Sequence, residues 1–181
     1  MAMQNSDELS ELIGTVFTEL TKLDLALTRS IIWVFEPETN AARWWMANGE
    51  ESSNPMSFYI KYHEHPAYLT FVREWKNQNV KFVYDLTGKD KKNWDKILFN
   101  ETELKNLPEV VKNGMQAPER VLLSASFNNF GGINVASLEP LSDEHFDILL
   151  RFAKVFDLTY TRFNDLKNAE AQARESQIQL A

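Results

Sequence analysis

Between Ser142 and Ala181 the chain carries neither proline nor glycine, and this run of 40 residues constrains the fold more than any other feature. The two residues that most readily end a helix are both missing. If helical throughout, the run extends about 60 Å, longer than a globule of about 140 residues is wide. Ser142 stands at its head, followed by Asp143 and Glu144, as a helix dipole prefers. Phe146, Leu149, Leu150, Phe152, Ala153 and Phe156 supply enough apolar surface to bury against a body, whereas from Asn164 onward Ala, Glu, Gln, Arg and Lys dominate. A heptad register from Leu149 places Phe152, Phe156, Phe163, Leu166, Ala173 and Leu180 on one seam, with Thr159, Glu170 and Gln177 as misfits. That pattern reads as a coiled-coil seam, with a single surface helix lacking a partner as the alternative. The expected organisation is a domain over residues 1–163, followed by the start of a linker helix over 164–181, in a piece of a longer polypeptide.

Composition narrows the function classes. The net charge of −7 gives no electrostatic footprint for nucleic acid. With no cysteine, thiolate metal sites, cysteine nucleophiles and thioether cofactor attachment are excluded. The first nine residues lack a basic-then-apolar leader pattern, and no apolar run approaches the roughly 18 residues of a membrane span. A soluble cytoplasmic domain is therefore expected, with no membrane contact in this segment. Aromatic residues make up 12% of the chain, enough for a large core or an aromatic-lined pocket.

The remaining elements follow from periodicity. Asn5 and Glu8 have capping-box spacing ahead of Leu9, Leu12, Ile13, Val16, Phe17 and Leu20, which predicts a first helix with one apolar stripe. Ser30–Phe35 and Ala41–Met46 read as a hairpin around Glu36-Pro-Glu-Thr-Asn40. The first of these strands is nearly continuous in apolar residues, which requires cover on both sheet faces. Asn48–Pro55 reads as a loop and Phe58–Tyr62 as a third strand. A helix enters at His65-Pro66, because proline suits a first turn. Val80–Leu86 is a fourth strand and Lys89–Gly114 holds two short helices. Arg120–Phe127 and Gly132–Leu138 form a second hairpin around Asn128-Asn-Phe-Gly-Gly132.

This order resembles the GAF domain, a six-stranded antiparallel sheet sandwiched between helices. Ser30-Ile-Ile-Trp-Val-Phe35 with Arg43-Trp-Trp-Met46, and Ser126–Ser137, are similar to the opening and closing hairpins of GAF modules in bacterial sensor histidine kinases. The first nine residues and Glu170–Gln177 resemble the two ends of a helical linker between successive modules. A PAS domain has similar content and is the structural competitor. The resemblance implies a parent chain of the two-component, sensor histidine kinase type, with neighbouring modules of the same polypeptide as partners. Family motifs for bilin attachment, methionine sulfoxide reduction and cyclic-nucleotide binding have no counterpart here, so no cofactor is expected.

His63 and His65 form a His-x-His pair beside Glu64, with only His145 as a further histidine. Metal sites need three or four ligands, so this pair reads as a strand-to-helix connection. No Gly-x-Ser-x-Gly accompanies Ser124 and Ser126, and Gly88-Lys89 lacks Walker spacing. By the GAF resemblance, a pocket bounded by one sheet face and the helices between strands three and five favours Trp45, Tyr62, Trp94, Ser124 and Ser126 as ligand-binding residues, with the sheet face undecided. Phe156, Phe163 and Leu166 are the expected seam of a parallel homodimer. The leading expectation is a non-catalytic sensory or regulatory module that binds an unidentified small molecule and relays a signal through its terminal helices. A ligand-free structural relay and a small enzyme are the alternatives.

Overall fold

The strands over Arg29–Phe35 and Gly131–Ser137 are buried almost without a break, and they lie side by side at the centre of one sheet. The computed structural model describes residues 2–22, 29–47 and 54–180. The elements run α1 (Ala2–Lys22), β1 (Arg29–Phe35), β2 (Ala42–Ala47), β3 (Met56–Ile60), α2 (Pro66–Lys76), β4 (Phe82–Thr87) and α3 (Gly88–Glu101). A short 3-10 turn (Glu103–Asn106), α4 (Glu109–Gln116), β5 (Arg120–Phe127), β6 (Gly131–Ser137) and α5 (Asp143–Gln179) complete the order. The six strands form one open sheet, β3-β2-β1-β6-β5-β4, in which every neighbouring pair is antiparallel. The protein is thus α+β, with helices on both sides of the sheet and a long C-terminal helix.

Side chains on β1 alternate between two cores, as the strand period dictates. Ile31, Trp33 and Phe35 pack with Tyr68, Phe71 and Trp75 of α2 and with Trp94 and Leu98 of α3. On the other face, Ile32, Trp45, Ile133 and Val135 are covered by Ile13, Phe17 and Leu20 of α1 and by Phe146, Leu149, Ala153 and Phe156 of α5. The first and last helices therefore share one sheet face, which their apolar stripes require.

The β5–β6 hairpin depends on close backbone approach. A Cβ on Gly131 would sit 1.8 Å from the Trp33 carbonyl oxygen, and one on Gly132 would sit 2.8 Å from that of Ser126. Asn128 braces the turn, its Oδ1 accepting from the backbone N–H of Phe130 (3.0 Å) and Gly131 (2.8 Å), while its Nδ2 donates to the Ala153 carbonyl of α5 (3.2 Å). Asn129 adds a side-chain bond to Asp157 at 2.8 Å. The turn is thereby fastened to α5.

Three expectations are corrected. Helix α1 begins at Ala2, so Asn5 lies inside it and not at its cap; Ala, Met and Gln are helix formers that extend it upstream. Strand β3 ends at Ile60 because Ile60 pairs with Ala42, the first residue of β2, and nothing remains for Tyr62 to pair with. Phe156 is fully buried in the core of its own protomer, under α1 and over the sheet, and is not presented to a second chain. Of the expected Asn48–Pro55 loop, residues 48–53 lie outside the described residues. From residue 165 to 180 α5 is exposed along its length. Truncation of Phe156 to alanine is expected to cost about 3–5 kcal/mol of unfolding free energy, as for other buried aromatics. Leu166→Ala should stay within about 0.5 kcal/mol at low protein concentration. Urea denaturation of the two variants checks this, and equal losses would contradict the placement of Phe156.

Candidate functional site: an aromatic cavity between the sheet and helix α3

Gly88 adopts φ 59°, a left-handed conformation that lets the chain pass from β4 straight into α3. Helical spacing then aims Lys91, Trp94, Asp95 and Leu98 at the sheet. Beneath them lies a cavity of about 110 Å³. Its floor is Ile31 and Trp33 of β1, Trp44 of β2, Leu123 of β5 and Asn134 of β6, and Met115 of α4 closes one side. The aromatic wall is tightly coupled. The rings of Trp33 and Trp44, cross-strand partners, lie 4.6 Å apart, and Trp33 stacks on Phe71 at 4.7 Å. Trp94 sits 6.2 Å from Trp44 and 5.1 Å from the imidazole of His65.

The polar groups are few. The Lys91 ammonium is almost wholly buried; it is paired with the Asp95 carboxylate and donates to the Met115 carbonyl at 3.0 Å. Burial pushes the Asp95 carboxyl up from its ordinary value, while the hydrogen bond from Lys91 pulls it back. Trp33 Nε1, Trp44 Nε1 and Asn134 Nδ2 are buried and find no hydrogen-bond partner among the described residues. Ser137 also lines the cavity, but its hydroxyl donates to the Glu139 carbonyl at 2.7 Å, with no histidine beside it in the lining. Such a lining can hold a molecule.

The five residues favoured as ligand contacts are not brought together. Trp94 lines the cavity. Ser124 and Ser126 pair with Val135 and Ile133, so they face α1 and α5 on the other side of the sheet. Trp45 is on that side as well, beside Val34 and Tyr160 in a shallow groove at the β1–β2 turn. Its neighbour Trp44 occupies the cavity face instead. Tyr62, past the end of β3, is largely exposed and meets Tyr68 edge-on at 6.0 Å. Sequence reasoning did not single out Lys91, Asp95 or Asn134. The one visible signal was a polar asparagine at mid-strand, between Ile133 and Val135.

His65 has a structural role that the cavity uses. Its Nδ1 accepts from the Ala67 N–H at 3.1 Å and caps α2, so the proton sits on Nε2, which donates to the Asp90 carbonyl at 3.1 Å in the first turn of α3. Neither ring nitrogen is left to bind a metal. His63 accepts from the His65 N–H at 2.9 Å and lies 3.9 Å from Glu101. Among the described residues no group of three or more histidine or carboxylate side chains is placed to hold a metal ion. No helix of the described residues is long and apolar enough to cross a membrane. No protein-family model, curated protein or solved structure matches the chain.

Burial holds the His65 imidazole below its ordinary value of 6.5, outweighing the Asp90 contribution that raises it. The unfolded chain therefore binds the proton more readily, and the stability from neutral His65 is full above about pH 6.5 and lost as pH falls toward the folded value. His65→Asn keeps a capping side chain but cannot titrate. Urea unfolding between pH 7.5 and 5.5 should find a steeper loss in the wild type than in His65→Asn; parallel slopes would contradict this role.

Proposed function

We propose that the chain is a non-catalytic sensory or regulatory module of the GAF-like type, which binds a small organic molecule in the cavity under α3 and relays its occupancy through α1 and α5. The observation that carries this reading is the cavity itself: an aromatic enclosure with three unpartnered N–H groups among its wall side chains. A purely structural relay would have filled that space and satisfied those donors.

Coupling to the terminal helices has two physical routes. Strands β1, β2 and β6 present Trp33, Trp44 and Asn134 to the cavity, and Ile32, Trp45, Ile133 and Val135 to the helices behind. A shift of the floor is therefore a shift of the seat of α5. At the sheet end, Trp75 Nε1 donates to the Asn129 carbonyl at 3.3 Å and Gln78 Nε2 to that of Asn128 at 2.8 Å. The same turn is tied to α5 through Ala153 and Asp157. Helix α2, which stacks Phe71 on the cavity's Trp33, thus reaches α5 around the end of the sheet through the β5–β6 turn.

The relay needs a partner whose packing it can change, and a parallel homodimer through α5 provides one. Phe156 is spent within the protomer, so the seam falls to half-buried Phe163, which stacks on Tyr160 at 6.3 Å, and to exposed Leu166. In this reading the parent chain is a multidomain signalling protein. Sedimentation equilibrium of freshly purified protein, beside mass spectrometry of its organic extract, tests both halves. A dimer at high micromolar concentration with a stoichiometric small molecule is expected, and Phe163→Glu should give a folded monomer that retains the molecule. A chain that stays at 21.0 kDa and carries nothing would contradict the proposal.

A further inference from the structure

Almost all of the surface that lines the cavity under α3 is apolar. The Nε1 atoms of Trp33 and Trp44 and the Nδ2 atom of Asn134 have under 1 Å² of accessible surface each, so a molecule in the cavity does not reach them. From Trp33 and Trp44 it meets indole carbon, and Ile31, Leu86, Leu98 and Leu123 add aliphatic carbon. The charges in the lining are closed on each other. The Lys91 ammonium has the Asp95 carboxylate and the Met115 carbonyl as partners, and the Ser137 hydroxyl is engaged by the Glu139 carbonyl. A charged ligand would lose its hydration without gaining a free counter-charge, and an uncharged polar one would exchange hydrogen bonds to water for contact with carbon.

The mouth has the same character. Of the lining residues only Gly114 and Leu138 are exposed, Leu138 by 56%, whereas Trp33, Trp44, Leu86 and Leu98 are buried. The cavity therefore opens between α4 and the end of β6, with no charged side chain of the lining on its rim. Size sets the other limit. A dry apolar cavity of about 150 Å³ holds benzene, and this one has about 110 Å³. Its outer wall is α4, which has no buried residue and contributes the adaptable side chain of Met115. One ring fits; nucleotides and tetrapyrroles are far larger.

We infer that the cavity takes an uncharged, apolar molecule of about one ring, held by contact with carbon and by no hydrogen bond. This rests on the ligand-binding reading above. Calorimetric titration of the whole chain with benzene, pyridine and phenol tests it near neutral pH, where all three are uncharged, because the rings match in size and differ in polarity. Benzene should bind at least tenfold more tightly than either of the others. Ala136→Leu adds three carbons to the lining. With native circular dichroism retained, it should weaken benzene binding at least fivefold. Pyridine or phenol binding as tightly as benzene overturns the apolar class and leaves the cavity as a ligand site. Unchanged benzene affinity in folded Ala136→Leu places the ring elsewhere and overturns the assignment to this cavity. Failure of all three to bind overturns this inference and the ligand-binding reading together. The wild-type comparison needs no variant to fold.

Discussion

The central strands β1 and β6 bury apolar side chains on both sides of the same sheet, and the two sides are different structures. Toward α2 and α3 the pair presents Ile31, Trp33 and Asn134; toward α1 and α5 it presents Ile32, Ile133 and Val135. Because the period of a strand is two, a slip of one residue would exchange the two sets wholesale. Gly131 and Gly132 pin the register: at both positions a Cβ would collide with backbone across the hairpin or on β1. The cavity, the seat of the terminal helices and the turn that fastens them all inherit their positions from this central pair.

Much of this order was legible in the chain. Strand β5 ends where the pattern of residues 120–127 ends, and α5 starts behind Ser142, whose hydroxyl accepts from the His145 N–H at 3.1 Å. The doubly apolar first strand called for cover on both faces and received it. The cavity was harder to read, for the same reason. Where both faces of a strand are apolar, alternation separates the residues into two sets without saying which set faces which helices. Neighbours on a strand, Trp44 and Trp45 must point to opposite faces, yet nothing local says which of them faces α2 and α3. Ser124 and Ser126 point toward α1 and α5 because of their pairing with Val135 and Ile133, which is a long-range fact. Lys91 and Asp95 have the spacing of an ordinary surface pair; only the docking of α3 buries them. The overreach of the heptad register at Phe156 has a similar origin, since a seam facing a partner and a stripe facing one's own core share the same period.

Packing on the cavity face sacrifices some internal satisfaction. Two indole N–H groups and one amide NH2 are buried without partners among the described residues, in a wall where aromatic rings follow one another from Trp94 through Trp44 and Trp33 to Phe71. Natural sheets seldom leave three such groups together, and functional sites are where a fold departs from local consistency. His65 contributes from outside the lining. It caps α2, bonds the first turn of α3 and packs against Trp94, so one imidazole holds together the two helices that cover the sheet.

The central claim is that the sheet couples the cavity to the terminal helices. A double-mutant cycle between Leu98, in the cavity roof, and Leu149, on the buried side of α5, measures that coupling most directly, since the two lie on opposite sides of the sheet. Leu98→Ala, Leu149→Ala and the double variant would be unfolded in urea, and the deviation from additivity taken as the coupling energy. Independent, distant sites add to within about 0.5 kcal/mol. A coupling clearly beyond that limit is the expected result; additivity within it would contradict a relay through the shared strands.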